Sequence, residues 1–302
     1  MSSNPLIHIG YNKTGTTWFQ NNFFPFVTNA NLVNRVTAHR LLINNNYFLF
    51  NADEVRKELT KHTDKRIIIS EEEFCLSVRA KSYTKTTLIK QLHQVFPEAQ
   101  IVVFIRNQVD RLLSLYLYYL KQNGGTYSFH NFLFKKNKPY GNIFNQRLEN
   151  SKYHHFINFL CNTFEQQNVH LYLYEEFSHN NVLFLNRFCQ AHNLEVDIEA
   201  LHFSRVNSAL KRNFIPIARF ANLFTEPHIV NRRHLLTIPY LDRVCKRLYP
   251  KINRWEIWGR NAEPEDLLDK QTLNYLNSYF RDSNRILMEK YSLPLDKYGY
   301  PL

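Results

Sequence analysis

The chain predicts an α/β fold with a central parallel sheet. Short runs rich in Ile, Val and Leu occur at 5–10 (PLIHIG), 66–70 (RIIIS), 99–105 (AQIVVFI) and 168–174 (NVHLYLY). Near-continuous apolar runs of that length suit strands buried on both faces. Amphipathic helical patterns fall between and after them, and strands alternating with helices imply crossovers within one parallel sheet.

In chain order, the first strand leads through residues 11–15 into a helical pattern at 16–24. The second, 66–70, ends at three adjacent acids, Glu71, Glu72 and Glu73. A helix at 87–96 precedes the third strand, and helices at 109–122 and 145–166 separate it from the fourth. A helix at 182–192 closes this part. Beyond residue 200 the strand signal fades, and Leu267, Leu268, Leu273, Leu276, Phe280, Leu287 and Tyr291 recur near helical spacing. Pro216, Pro227, Pro239 and Pro250 cut the preceding region into short pieces. One domain over 1–302 is expected, with an α/β core over 1–200 and a mainly helical extension over 201–302 packed on it.

With 302 residues, 44% of them hydrophobic, the chain has the means to bury a sizeable core. No apolar run approaches the ~20 residues that cross a bilayer, and MSSNPLIHIG has neither a basic n-region nor an apolar h-region, so a cytoplasmic location is expected. Cys75, Cys161, Cys189 and Cys245 are widely spaced, which disfavours a disulfide framework and a zinc site. Of the formal charge of +12, residues 205–260 hold twelve Lys or Arg against three acids, a net +9. That stretch reads either as a solvated basic face or as a docking surface for an anionic partner.

The first loop, in IHIGYNKTGTTWFQ (7–20), carries the chemistry. Gly10 and Gly15 are spaced as in the phosphate loop G-x-x-x-x-G-K-[ST] of nucleoside triphosphatases, but Thr16 occupies the lysine position and Lys13 lies inside the loop. Gly15 accepts positive φ, so successive N–H groups converge on an anion, and the amides of the following helix start add to the attraction. A lysine after the second glycine reaches the β and γ positions of a triphosphate. One in mid-loop reaches the group attached to the first phosphate, which suits a donor whose single phosphate carries a transferable group. A plain strand-to-helix turn is the competing reading of these residues.

The run K-T-G-T-T-W (13–18) followed by Gln20 resembles the 5′-phosphosulfate loop of the sulfotransferases, which use 3′-phosphoadenosine 5′-phosphosulfate (PAPS). The resemblance implies a three-layer P-loop NTPase-like fold, with Asn12, Lys13, Thr14, Gly15, Thr16 and Thr17 cradling the 5′-phosphate. It gives Lys13 the bridging oxygen of the departing nucleotide. Asn12 stands where many members have proline, and Asn also tolerates turn geometry. The family further implies a 3′-phosphate site made by an arginine at a strand end and a serine two helical turns later. FIRNQVDRLLSLY supplies Arg106 and Ser114, with Arg111 one turn before the serine; charge-assisted bonds of this kind contribute roughly 1.5–3 kcal/mol each. Residues 147–177 resemble the family's helix, strand and Y-E-x-[LF] segment, whose carboxylate is a structural brace, so Glu175 and Glu176 are left out of the chemistry. RVNSAL resembles a nucleotide-holding N-x-S-L stretch and nominates Arg205 and Asn207, with Ala209 in the serine position and Ser208 as its substitute.

Sulfuryl transfer needs an acceptor oxygen in line with the sulfur, a base for its proton, and positive charge at the leaving oxygen; it requires no metal. Carbohydrate sulfotransferases carry a glutamate after the second strand in an S-x-E-x-[LF] pattern, which RIIISEEEF matches at Glu72, with Glu71 as the nearest competitor. His8, His39 and the pair His154-His155 are rivals, although adjacent helical residues point apart. The implied activity is transfer from PAPS to a hydroxyl or amine of a sugar or glycolipid, with peripheral membrane contact allowed and no nucleic acid expected. Two alternatives stand beside it. A P-loop kinase or NTPase is opposed by Thr16, and a non-catalytic binder of anionic polymer or membrane through 205–260 brings no RNA- or DNA-reading motif.

Overall fold

In a computed structural model of the chain, residues 4–61, 63–75, 82–135, 145–203, 209–226 and 235–302 are described. Five parallel strands, β1 (Leu6–Gly10), β2 (Ala30–Leu32), β3 (Arg66–Ser70), β4 (Gln100–Ile105) and β5 (Val169–Leu173), lie in the order β2-β3-β1-β4-β5. Four of them fall within one residue of the expected runs; β2, only Ala-Asn-Leu, has no β-branched signal to reveal it.

The chain divides into two compact units, 1–106 with 153–206, and 107–152 with 207–302. The first unit holds the whole sheet. Its even-numbered strand residues Leu6, Ile68, Val102 and Phe104 pack under Phe19, Phe23, Phe24, Phe184 and Phe188. Ile7, Ile9, Ile67, Ile69, Ile101, Val103 and Ile105 are buried as well, so both faces are covered, as strands without polar alternation require. This is the three-layer arrangement of a P-loop-like α/β fold.

The second unit is helical. Its core includes Leu112, Tyr116, Leu120, Phe129, Phe132, Tyr249, Leu276 and Phe280, from the helices Gln108–Gln122, Phe129–Phe134, Leu241–Ile252 and Lys270–Tyr291. The helix expected over 145–166 is broken into Asn145–Glu149 and Tyr153–Phe164. At the break the Ser151 hydroxyl donates to the Arg147 carbonyl (2.7 Å), a local bond that competes with helix continuation. No helix among the described residues is long and apolar enough to cross a membrane.

Two histidines in the first unit predict how stability follows pH. His8 sits among Phe19, Phe24 and Phe104 with Nδ1 2.7 Å from Ser70 Oγ, and His192 lies beside Tyr172 Oη (2.8 Å). Burial pushes each imidazole down from 6.5 to about 3. The folded chain therefore refuses protons that the unfolded chain accepts, so this contribution is complete above 6.5 and falls as the pH drops toward 3, by roughly 1.4 kcal/mol per unit for each group. A lower urea midpoint near pH 5 than near pH 7.5, with a shallower fall in His192→Gln, is the expected result. A midpoint indifferent to pH contradicts it.

Candidate active site

β1 lies in the middle of the sheet, parallel to both β3 and β4, so the chain leaves all three at one end of the sheet, their carboxyl ends, where ligands of open parallel sheets bind. The pairing of β1 with β4 shifts between His8 and Gly10, a bulge that re-aims the strand end. The Tyr11 N–H then donates to the Phe104 carbonyl (2.8 Å). Three residues in the next stretch have left-handed φ: Gly10 (79°), Lys13 (68°) and Gly15 (86°). For a lysine that conformation is uncommon and strained, a state that collects at functional sites.

Neighbouring elements hold the loop closely. A Cβ on Gly10 would stand 3.1 Å from Glu72 Cβ and 3.2 Å from Thr16 Cγ2. A Cβ on Gly15 would meet the rings of Tyr174 (3.5 Å) and Phe177 (3.6 Å). Gly15 is the N-cap of the helix Thr16–Asn22, with no side-chain cap bond. Thr14 is buried and its hydroxyl donates to the Tyr11 carbonyl, so that side chain braces the loop. Asn12 and Lys13 are half-buried, Thr16 is buried and Thr17 is exposed.

Arg106, at the end of β4, reaches this loop. Its Nη1 donates to the Lys13 carbonyl (3.3 Å), its guanidinium carbon lies 4.8 Å from the Tyr174 ring centre, and its own carbonyl accepts from the Tyr153 hydroxyl (2.7 Å). One cation thus ties the ends of β1, β4 and β5 together. Ser114 is half-buried in the helix Gln108–Gln122, within the second unit. Arg111, one turn before it, is buried in that unit with Nη1 donating to Ser151 Oγ (3.1 Å). Arg205, Asn207 and Ser208 lie outside the described residues.

The three acids after β3 divide sharply. Glu71 is fully buried; Arg35 donates to both its oxygens (2.9 and 3.2 Å), His39 Nε2 stands 2.6 Å from Oε2, and the Glu73 N–H donates to Oε1 (3.1 Å). Arg35 and His39 are four residues apart on the helical turn Arg35–Ala38 and its continuation His39–Ile43, a spacing that puts both on one side. The hydrogen bond to Glu71 raises the pKa of Arg35 further. Glu72, by contrast, keeps 22% of its side chain exposed. Its Oε2 accepts from Gln20 Nε2 (3.0 Å), which also donates to the Ser70 carbonyl (3.2 Å), and its Oε1 is 3.7 Å from Arg35 Nη2.

Among the rivals, His8 is sealed in the aromatic core and His39 is engaged by Glu71. His154 and His155 do not point apart as expected: their ring centres are 3.8 Å apart, because rotamers of long side chains can close the angular step between helical neighbours. His39, Glu71 and Glu73 bring ligand atoms within 4.8 Å of one another. The guanidinium on both Glu71 oxygens repels a dication, so the trio reads as a clamp on the strand end. A cavity of about 570 Å³, lined by Arg35, Val36, His39, Arg40 and Asn44, opens beside it.

A family model described as "Sulfotransferase family" matches residues 25–198. The chain belongs to that family. A sulfotransferase from Alicyclobacillus acidocaldarius has a similar crystal structure, 15% identical over 74% of this chain and 94% of that chain, with a TM-score of 0.51. The crystal structure of mouse sulfotransferase SULT7A1 complexed with PAP is 15% identical over 94% of this chain and 86% of that chain, with a TM-score of 0.44. No curated protein sequence matches. This sulfotransferase is therefore a transferase enzyme, and PAPS is the donor its family implies. The match includes Glu72, Arg106 and Ser114, whereas the loop 10–17, marked by its motif and its left-handed residues, lies ahead of it. Two residues of the site, Arg35 and Tyr174, were not foreseen. The signal available for the first was Asn34-Arg35 followed by His39 at helical spacing, with the Asn34 side chain capping the turn through the Val36 N–H (2.8 Å).

Proposed function

We propose that this sulfotransferase moves a sulfuryl group from PAPS to a hydroxyl or amine of an anionic carbohydrate or glycolipid, with Lys13 and Glu72 as the reacting pair. The observation that carries the reading is the close packing of Glu72 against Gly10, which places a partly open carboxylate at the mouth of a loop rich in left-handed residues. The donor set suits a phosphosulfate: backbone amides of residues 12–17 and the Lys13 ammonium; Arg106, which donates to the Lys13 carbonyl, keeps the 3′-phosphate role that the resemblance gives it. PAPS, when bound, supplies the sulfuryl group and the stable leaving nucleotide.

In this reading Lys13 places positive charge where the leaving oxygen gains negative charge. Glu72 takes the proton of the acceptor hydroxyl, and Gln20 with Arg35 fixes the direction of its carboxylate. Glu71, engaged by Arg35, His39 and the Glu73 N–H, is the less accessible proton acceptor of the two. Arg205 and Asn207 remain assigned to the nucleotide by resemblance alone. Thr16 at the position of the triphosphate lysine disfavours phosphoryl transfer from ATP. Four widely spaced cysteines, all free thiols, suit a reducing compartment such as the cytoplasm.

The cavity beside Glu71 supports this acceptor class. Arg35 on its border is held by Glu71, whereas Arg40 is 64% exposed and only loosely paired with Glu58 at 3.6 Å; that open guanidinium beside a cavity of carbohydrate dimensions favours an anionic sugar. Transfer of radiolabelled sulfate from PAPS to neutral sugars, uronic-acid sugars, glycolipids and phenols tests this. Incorporation into the anionic sugars, with KM raised roughly tenfold and kcat kept in Arg40→Ala, is the expected outcome. Labelling confined to phenols contradicts it.

A further inference from the structure

The second unit carries a basic surface with exposed apolar side chains that sulfuryl transfer does not use. In the helix Leu241–Ile252, Cys245 and Tyr249 face inward, while Val244 and Leu248, one turn apart, are exposed. Tyr240, also exposed, precedes them, with the Arg243 guanidinium carbon 5.1 Å from its ring centre. Residues 235–240 add Leu235 and Leu236, 70% and 64% exposed, and Ile238. These are not side chains on a loose thread. The Leu235 N–H donates to the Leu223 carbonyl (2.8 Å) and the Ile238 N–H to the Phe224 carbonyl (2.9 Å). Backbone bonds therefore hold the segment against the unit while its leucines stand in water.

Cations rim this row. Between residues 235 and 260 six Lys or Arg stand against two acids. Lys246 pairs with Asp242 at 3.4 Å, whereas Arg247, Lys251 and Arg254 have no acidic partner among the described residues. Single exposed apolar residues are ordinary; a row of them rimmed by like charge marks a contact site.

We infer that this face docks on an anionic lipid bilayer. The charge fixes the sign of the partner and the aliphatic side chains fix its nature. A nucleic acid offers phosphates and stacking bases but no medium for Leu235, Leu236 and Ile238 to enter. A bilayer offers anionic headgroups above an acyl layer, matching cations beside an apolar ridge. The inference is independent of the sulfuryl-transfer reading, since none of these residues belongs to the donor loop or the candidate base.

Sedimentation of the full chain with vesicles tests it. The comparison is between phosphatidylcholine alone and phosphatidylcholine with about one third phosphatidylserine. Binding to the anionic vesicles is expected to exceed that to neutral ones by roughly tenfold or more, and to fall by roughly tenfold in Arg247→Ala/Lys251→Ala. Leu235→Ser/Leu236→Ser is expected to weaken it as well, with an unchanged unfolding midpoint. Should the leucine variant fail to fold, the charge variant, altered at exposed positions only, decides the matter. Equal or absent sedimentation with both vesicle types overturns the inference. So does a wild-type dimer in light scattering that the leucine variant disperses, which assigns the face to a second copy. Single-stranded RNA bound equally well by wild type and leucine variant, without vesicle binding, overturns it too.

Discussion

Lys13→Ala is expected to lower turnover by about 10² to 10³ while leaving the urea midpoint within experimental scatter of the wild type. The loop is held by groups other than the lysine ammonium: the Tyr11 N–H on Phe104, the Thr14 hydroxyl on Tyr11, and Arg106 on the carbonyl of residue 13 itself. Alanine keeps the Cβ and hence the left-handed strain at φ 68°, so the backbone has no new reason to move. What disappears is a positive charge at the point where the leaving oxygen gains a negative one. Its absence is felt more in the transition state than in the ground state, so kcat falls further than donor affinity does. Turnover within about threefold of wild type removes Lys13 from the chemistry.

Glu72→Gln is expected to cost about 10² to 10⁴ in kcat, and Glu71→Gln serves as its control. The Glu72 side chain keeps contact with solvent and is steadied by Gln20 and Arg35, so an amide of the same shape keeps the packing and loses the proton acceptor. Glu71 is buried under Arg35, His39 and the Glu73 N–H. Its amide mismatches those donors and lowers stability by about 1–3 kcal/mol, read as a shift in urea midpoint. A chemical defect at position 72 with a stability defect at position 71 is the predicted split. The reverse pattern assigns the base to Glu71.

The sheet was legible because its strands are near-continuous apolar runs, a signature that needs no partner to be read. β2 escaped because three residues without β-branching resemble any loop. The loop around Lys13 and the arginine after β4 were legible because their chemistry is compressed into short spacings. Arg35 was not, since its partner Glu71 is 36 residues away and the two are joined through the pairing of Ala30–Leu32 with β3. Tyr174 was hidden for the same reason: β5 must lie next to β4 before its end can meet Arg106. The contact of Arg111 with Ser151 was hidden as well, since the two are 40 residues apart.

Calorimetric titration of the chain with adenosine 3′,5′-bisphosphate bears most directly on the claim that the loop after β1 grips a phosphosulfate donor. Saturable binding of the bisphosphate, tighter than that of Mg-ATP and weakened in Arg106→Ala, is the predicted result. No binding heat up to about millimolar concentration, or a preference for Mg-ATP, contradicts the account at its root.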